Sequence, residues 1–297
     1  EIHELFHHGE YDRIMCSTEG PMGLAAIYLK NAYSVPAYFY MHTDWLTFAK
    51  KVLLLDRGNL NRSRRLLRTF YKAFDGLFVL NTDQQKWLIS KEMGFSEKDV
   101  HLTAHWADNY FQPRKNSKKA LMGITNDDPI LLYAGRISKE KGVLELPEII
   151  EQVQIEFDNV NVVIVGTGPA EKELKKALPD AIFMGWIKQD HLPEIFSAAD
   201  LLILPSKFDT FCCTAIEAMS CGLPVVAYNV KGPKDIIENG KNGFLCNSRN
   251  EISDKIVAYL ENPDKKKHFK SEALKRAKFY KPEFIMSQLL QDIDLKA

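Results

Sequence analysis

The sequence predicts an α/β protein built from two Rossmann-like domains, the first of them incomplete. Short apolar runs alternate with longer stretches of helical periodicity, the pattern of parallel strands joined by crossover helices. The alternation breaks in the polar and basic residues from Arg114 to Lys119, then restarts cleanly. About four strand-like runs precede the break and six follow it, so the second domain reads as a full Rossmann-like sheet and the first as a partial one. The expected divisions are residues 1–115, 116–280, and a terminal helix over 281–297 that crosses back to the first domain.

In the first third, Arg13-Ile14-Met15-Cys16-Ser17 reads as a strand, and Gly20-Pro21-Met22-Gly23 as a turn into a helix ending near Lys30. Pro36 to Tyr40 is the next strand, followed by helices through 44–56 and 62–73. Leu77 to Leu80 is a third strand, and the helix after it has Asn81 or Thr82 as its N-cap. A fourth strand falls near Val100 to Thr103. Beyond the break, strands are expected at 130–134, 161–165, 181–184, 200–204, 224–228 and 243–246. Helices are expected near 142–156, 169–177, 189–198, 213–220, 233–239 and 250–262. The chain opens without a Met, on residues that read as the inside of a helix, and is expected to be a segment of something longer.

Composition narrows the function. At 297 residues each domain can bury its own core. Lys plus Arg number 39, as do Asp plus Glu, which leaves none of the basic excess typical of a nucleic-acid binder. The five cysteines, Cys16, Cys212, Cys213, Cys221 and Cys246, are odd in number and form no Cys-x-x-Cys pair, so free thiols in a reducing cytoplasm are expected. No apolar run approaches the roughly 20 residues that span a bilayer, and the first residues have no signal-peptide pattern.

Three segments could carry chemistry. Gly135-Arg136-Ile137-Ser138-Lys139-Glu140-Lys141-Gly142 follows an apolar strand and opens a helix, where free N–H donors and the helix dipole favour an anion. Arg136 and Lys141 at such a point make a diphosphate site, although a solvated basic turn has the same composition. Val165-Gly166-Thr167-Gly168-Pro169 is a second strand-to-helix turn, either a place for backbone to approach a ligand or simply a tight turn. Between Ser206 and Ile237, Asp209 and Glu217 flank a strand-to-helix junction, with Glu217 about two turns along the helix. In an open α/β sheet that crevice is where ligands bind. Ala215, Ile216, Ala218 and Met219 are apolar, so Glu217 reads as projecting into a cleft from a packed helix rather than as a surface charge.

This constellation resembles the retaining GT-B glycosyltransferases of family 4, also called group 1. Asp209 and Glu217 match the ends of its E-x7-E segment, with Asp for the first Glu, and Gly135 to Gly142 match its Gly-Arg-x4-Lys-Gly segment. Gly166 to Pro169, with Glu171 and Leu174, match its Gly-x-Gly-Pro turn, and Phe183 to Ile187 the strand after it. His42-Thr43-Asp44 resembles a Tyr-His-Thr-Asp motif of one branch, and Ser17 to Gly23 resembles a turn of the same branch with Glu19 in place of Pro. Lys231-Gly232-Pro233 and Asn242-Gly243-Phe244 also match and are expected to be structural.

The resemblance implies two Rossmann-like domains facing a cleft, and sugar transfer from a UDP- or GDP-linked donor to a lipid or carbohydrate acceptor. It implies retention at the anomeric carbon, with no metal or cofactor. Arg136 and Lys141 would hold the diphosphate, Asp209 and His42 the sugar, and Glu217 both ribose hydroxyls. Gly168 would approach the donor, Trp186 and Ile187 would contact the base, and the turn of Phe211, Cys212, Cys213 and Thr214 would present N–H groups to phosphate. Gly usually stands where this chain has Cys212, and a side chain there is expected to crowd the donor or alter the loop. The basic 50–72 segment is either a peripheral contact with the inner membrane face or a solvated helix face. The early strand and Gly-Gly loop of the family are not found. A second reading is therefore an inactive donor-binding subunit that needs a partner chain or a missing N-terminal segment, and a third is a sugar-nucleotide epimerase.

Overall fold

The structure, a computed structural model, describes residues 2–9, 11–51, 53–115, 122–157 and 159–293. Its contacts divide the chain into two units between Ala104 and His105, ahead of the break expected after residue 115, whose residues 116–119 lie outside those described.

The first unit, Glu1–Ala104, also takes in Asp292–Leu295. Its elements are α1 (Ile2–His7), β1 (Ile14–Cys16), α2 (Pro21–Tyr33), β2 (Ala37–Met41), α3 (Trp45–Lys51), α4 (Arg57–Tyr71), β3 (Gly76–Val79), α5 (Thr82–Ile89) and β4 (Val100–Leu102). The strands form a parallel sheet in the order β1-β2-β3-β4. β3 is buried along its whole length, as a strand covered on both faces must be. Phe39 of β2 packs its ring 5.2 Å from those of Tyr71 and Phe74, which ties α4 to the sheet.

Side-chain caps decide where these helices start. Asp44 accepts from the Thr47 amide and hydroxyl at 2.9 and 2.7 Å and caps α3. Asp56 accepts from the Asn59 amide and starts α4 five residues before the expected position. Asn81, not Thr82, caps α5, through the Gln84 amide at 2.9 Å. In the basic segment, Arg64 pairs with Glu92 and Leu66 is 71% exposed among the cations; Val52 lies outside the described residues.

The second unit spans His105–Gln291. It contains β5 (Ile130–Ala134), α6 (Leu146–Glu156), β6 (Asn161–Val165), α7 (Glu171–Ala177), β7 (Ile182–Gly185), α8 (Leu192–Ala198), β8 (Leu201–Leu204), α9 (Cys213–Ser220), β9 (Val225–Tyr228), α10 (Pro233–Ile236), β10 (Gly243–Cys246), α11 (Arg249–Leu260), α12 (Pro263–Ala277) and α13 (Pro282–Asp292). All six strands are parallel, in the order β10-β9-β8-β5-β6-β7. The order reverses between β5 and β8, the topological switch point at which such sheets bind ligands.

In the second unit, α6 and α10 differ from expectation. α6 begins at Leu146 rather than 142, because Gly142 is left-handed (φ 71°) and two 3-10 turns, Lys139–Lys141 and Val143–Glu145, precede the helix. α10 stops at Ile236 instead of 239, since Ile237 turns extended. Among the described residues no helix is long and apolar enough to cross a membrane.

Candidate active site

The loops that leave β5 and β8 flank the switch point, and Gly142 lets them touch. A Cβ there would lie 1.9 Å from the Pro205 carbonyl oxygen, so only glycine allows the 139–142 turn to rest on the backbone after β8. That contact brings Lys141 to Asp209 from 68 residues away: the ammonium Nζ donates to Oδ2 at 2.7 Å. Asp209 is 13% exposed, and its Oδ1 accepts from the Phe211 amide at 3.3 Å. Burial lowers the pKa of Lys141, but Asp209 outweighs it and holds the ammonium above its ordinary range. Glu145 adds a second tie across the same point, accepting from the Tyr228 hydroxyl and pairing with Lys207.

Backbone hydrogen bonds stitch together the turns after β5, β6 and β7. The Gly135 amide donates to Val165, Ile137 to Thr167, and Gly166 to Gly185, at 3.0, 2.9 and 2.7 Å. Gly168 serves this stitching, because a Cβ on it would lie 2.3 Å from the Ile137 carbonyl oxygen. Gly166 and Thr167, not Gly168, line the adjacent cleft. The cleft encloses about 370 Å³ and is lined also by Arg136, Trp186, Ile187, Thr214 and Glu217. A smaller recess of about 40 Å³ shares Gly135 and Thr214 with it and is lined by Lys141, Asp209 and Cys212.

Glu217 is the fifth residue of α9, just over one turn from its start rather than two. Among the described residues no cation pairs with it. Burial, reinforced by the Asp108 carboxylate, pushes its pKa up to about 7. Arg136 is 64% exposed and pairs with Glu140 at 2.6 Å, so its guanidinium remains accessible from the cleft.

The turn before α9 divides into two roles. Cys212 is buried and left-handed (φ 80°), the conformation that glycine adopts without strain and that costs an L-residue about 1–2 kcal/mol. Against the expectation of a crowded donor or an altered loop, Cys212 takes a left-handed backbone open to glycine and turns its side chain into the lining of the Lys141–Asp209 recess. Phe211 is buried with its ring 5.2 Å from His105, and the Phe211 backbone lies 2.9 Å from where a Cβ on Gly232 would stand. Phe211 and Cys213 line neither cavity; the Phe211 N–H donates to Asp209, and Cys213 offers the N–H of the first residue of α9.

His42 follows β2 in the first unit, its ring 4.6 Å from that of Tyr40. Burial lowers its pKa and Glu19 only partly restores it, so the imidazole is neutral at pH 7. Glu19, standing where the resemblance places Pro, accepts from Tyr71 and Trp45 at 2.8 and 2.7 Å. The second unit therefore gathers Arg136, Lys141, Trp186, Ile187, Asp209, Cys212, Thr214 and Glu217, and His42 is placed within the first. Sequence reasoning missed Asp108 and Glu145; neither belongs to a motif, and only tertiary contact singles them out. Among the described residues no group of three or more His, Cys, Asp or Glu side chains could hold a metal ion.

Comparison with known proteins bears on the family and the fold. The chain is 34% identical over 233 residues to the GDP-mannose-dependent alpha-mannosyltransferase of Corynebacterium glutamicum, covering 75% of this chain and 52% of that one. It is 27% identical over 245 residues to sulfoquinovosyl transferase SQD2 of Arabidopsis thaliana, covering 80% and 47%. The chain thus spans about half the length of these relatives. Anabaena HepE, solved in complex with UDP, superposes with a TM-score of 0.81 at 21% identity, covering 99% of this chain and 81% of that one. The fold is GT-B. The model of the family described as Glycosyl transferases group 1 matches residues 114–276, more than half of the 297, and the protein belongs to that family.

Proposed function

We propose that the protein transfers a sugar from a UDP- or GDP-linked donor to a lipid or carbohydrate acceptor, with retention at the anomeric carbon and without a metal ion. The observation that carries this reading is the Lys141–Asp209 pair at the switch point, in a recess that shares the lining residues Gly135 and Thr214 with the Glu217 cleft. The name of the Corynebacterium relative, which is GDP-mannose-dependent, and the UDP complex support a nucleotide-linked donor.

In the reaction, the bond from the anomeric carbon to the β-phosphate oxygen breaks and its electron pair leaves on the diphosphate. The acceptor oxygen bonds to the same face of that carbon, and its proton passes to the departing phosphate. The difficulty is the charge that develops on the diphosphate. Arg136 and Lys141 offset it, Arg136 as a planar fork and Lys141 as a mobile point charge. Lys141 exchanges Asp209 for a phosphate oxygen, which frees Asp209 to accept from sugar hydroxyls. Glu217, ionised, accepts from both ribose hydroxyls, for which a carboxylate has enough lone pairs. His42, neutral, is assigned to the sugar. The exposed Leu66 among the arginines of α4 supports a peripheral contact with the inner membrane face for a lipid acceptor.

A second reading, a donor-binding chain without turnover, is favoured by one observation: Cys212 places a side chain in the recess of Lys141 and Asp209. Calorimetry with UDP-, GDP-, ADP- and CDP-sugars, followed by anomer-resolved NMR, separates the two. Binding of one donor with slow release of the retained anomer is the expected result. Binding without turnover supports the second reading, and no binding to any donor overturns both.

A further inference from the structure

The second unit contains another cavity, larger than the donor cleft, of about 520 Å³. It lies in the size range of small-molecule sites. One wall is formed by Ser271, Leu274 and Lys275 of α12, by Lys278 at the start of the 3-10 turn that follows it, and by the extended Lys281 after that turn. The opposite wall is the segment Ala107–Asn109 and Phe111–Pro113, and Ser220 at the end of α9 completes the lining. No residue of the 370 Å³ cleft lines it.

The charges there are unbalanced. Three lysines line the cavity against one carboxylate, Asp108. Lys275 is neutralised by Glu272 at 2.6 Å, and the Asn109 amide donates to Glu283 at 2.8 Å. Lys278 and Lys281 are exposed, and Lys281 acts on the Glu283 carboxylate without a close ion pair to it. Three ammonium groups that line a concavity against the single lining carboxylate of Asp108 favour an anion. Ser220, Ser271 and Gln112 offer hydroxyls and an amide, while Leu274 and Pro113 offer an apolar face. That mixture suits a polyol whose hydroxyls hydrogen-bond along one edge and whose C–H groups stack on the other.

We propose that this cavity is a second ligand site, separate from the donor cleft, that takes a small phosphate-bearing carbohydrate. Lys278 and Lys281 hold the phosphate, and the serines and Gln112 hold the hydroxyls. The site adjoins the donor cleft through α9, which carries Ser220 here and Glu217 there, and through Asp108, whose charge raises the pKa of Glu217.

The test is calorimetry with glucose 6-phosphate, inorganic phosphate and unphosphorylated glucose, on the wild type, a Lys278→Ala/Lys281→Ala double variant, and Arg136→Ala. The two lysines are exposed, so their loss leaves the fold intact, and circular dichroism checks this. Expected is binding of glucose 6-phosphate, weaker binding of phosphate and none of glucose. The double variant should lose about tenfold or more in affinity, as charge-assisted hydrogen bonds are removed. Arg136→Ala should bind glucose 6-phosphate like the wild type. The proposal is overturned by no binding at millimolar glucose 6-phosphate, by equal affinity in the lysine variant, or by loss in Arg136→Ala, which would place the ligand in the donor cleft.

Discussion

The two carboxylates of the donor site, eight residues apart, are held in opposite states. Asp209 is satisfied: Lys141 neutralises it at 2.7 Å and the Phe211 amide bonds its other oxygen. Glu217 is half-buried without a cation and carries a pKa raised to about 7. One side of the site is thus preformed by pairing, and the other is left energetically unfavourable. Under the proposed function the Lys141–Asp209 pair must open when a diphosphate arrives, so reorganisation falls on that side, and ribose hydroxyls relieve Glu217 on the other.

The strongest way to break this contrast is at the paired side. Lys141→Ala is expected to lower turnover by about 10²–10³-fold, the usual cost of removing one group aimed at developing charge. Turnover within a few-fold of wild type in an assay of sugar transfer would show that Lys141 only balances Asp209. Next in size is Gly142→Ala, which drives a Cβ into the Pro205 carbonyl oxygen and requires a left-handed alanine. Chemical denaturation should show a loss of about 2 kcal/mol or more. An unchanged midpoint would mean that the two loops do not need this contact.

The unpaired side is sharpened by pH. The folded pKa of Glu217 lies above its ordinary 4.5, so ionising it in the fold costs stability. That cost is absent below about pH 4.5, grows as pH rises, and is complete above about pH 7. Glu217→Gln should therefore raise stability above pH 7 by on the order of 1–2 kcal/mol, read as a higher melting temperature, and the gain should fade toward pH 4.5. A pH-independent gain would deny that the carboxylate is the source. The smallest effect belongs to Cys212→Gly, where relief of left-handed strain and loss of the buried thiol offset each other to within about 1 kcal/mol. Cys212→Val, β-branched at the same φ, should cost clearly more. If the two variants melt alike, Cys212 is not held left-handed.

The strands were legible because burial on both faces writes them as continuous apolar runs: Ile130–Ala134 and Asn161–Val165 stand at their expected limits. α9 was equally legible, framed by the Phe211–Cys212 turn and Gly222. The site residues were legible as motifs, but their pairing was not. Lys141 and Asp209 meet only because a glycine at 142 can rest on Pro205, a tertiary fact that no local period records. Gly168 shows the converse, since a turn glycine that matches a motif serves backbone packing rather than the cleft wall. Asp108 lies in an aperiodic stretch, and its effect on Glu217 acts through space.

The most direct test of the donor site compares UDP and GDP with their 2′,3′-dideoxy analogues by calorimetry, on the wild type and Glu217→Ala. If Glu217 holds the ribose, the wild type prefers the hydroxylated form of the nucleotide it binds by about tenfold or more, and Glu217→Ala loses that preference. An equal preference in both proteins would contradict the assignment, and with it the reading of this cleft as the nucleotide-sugar site.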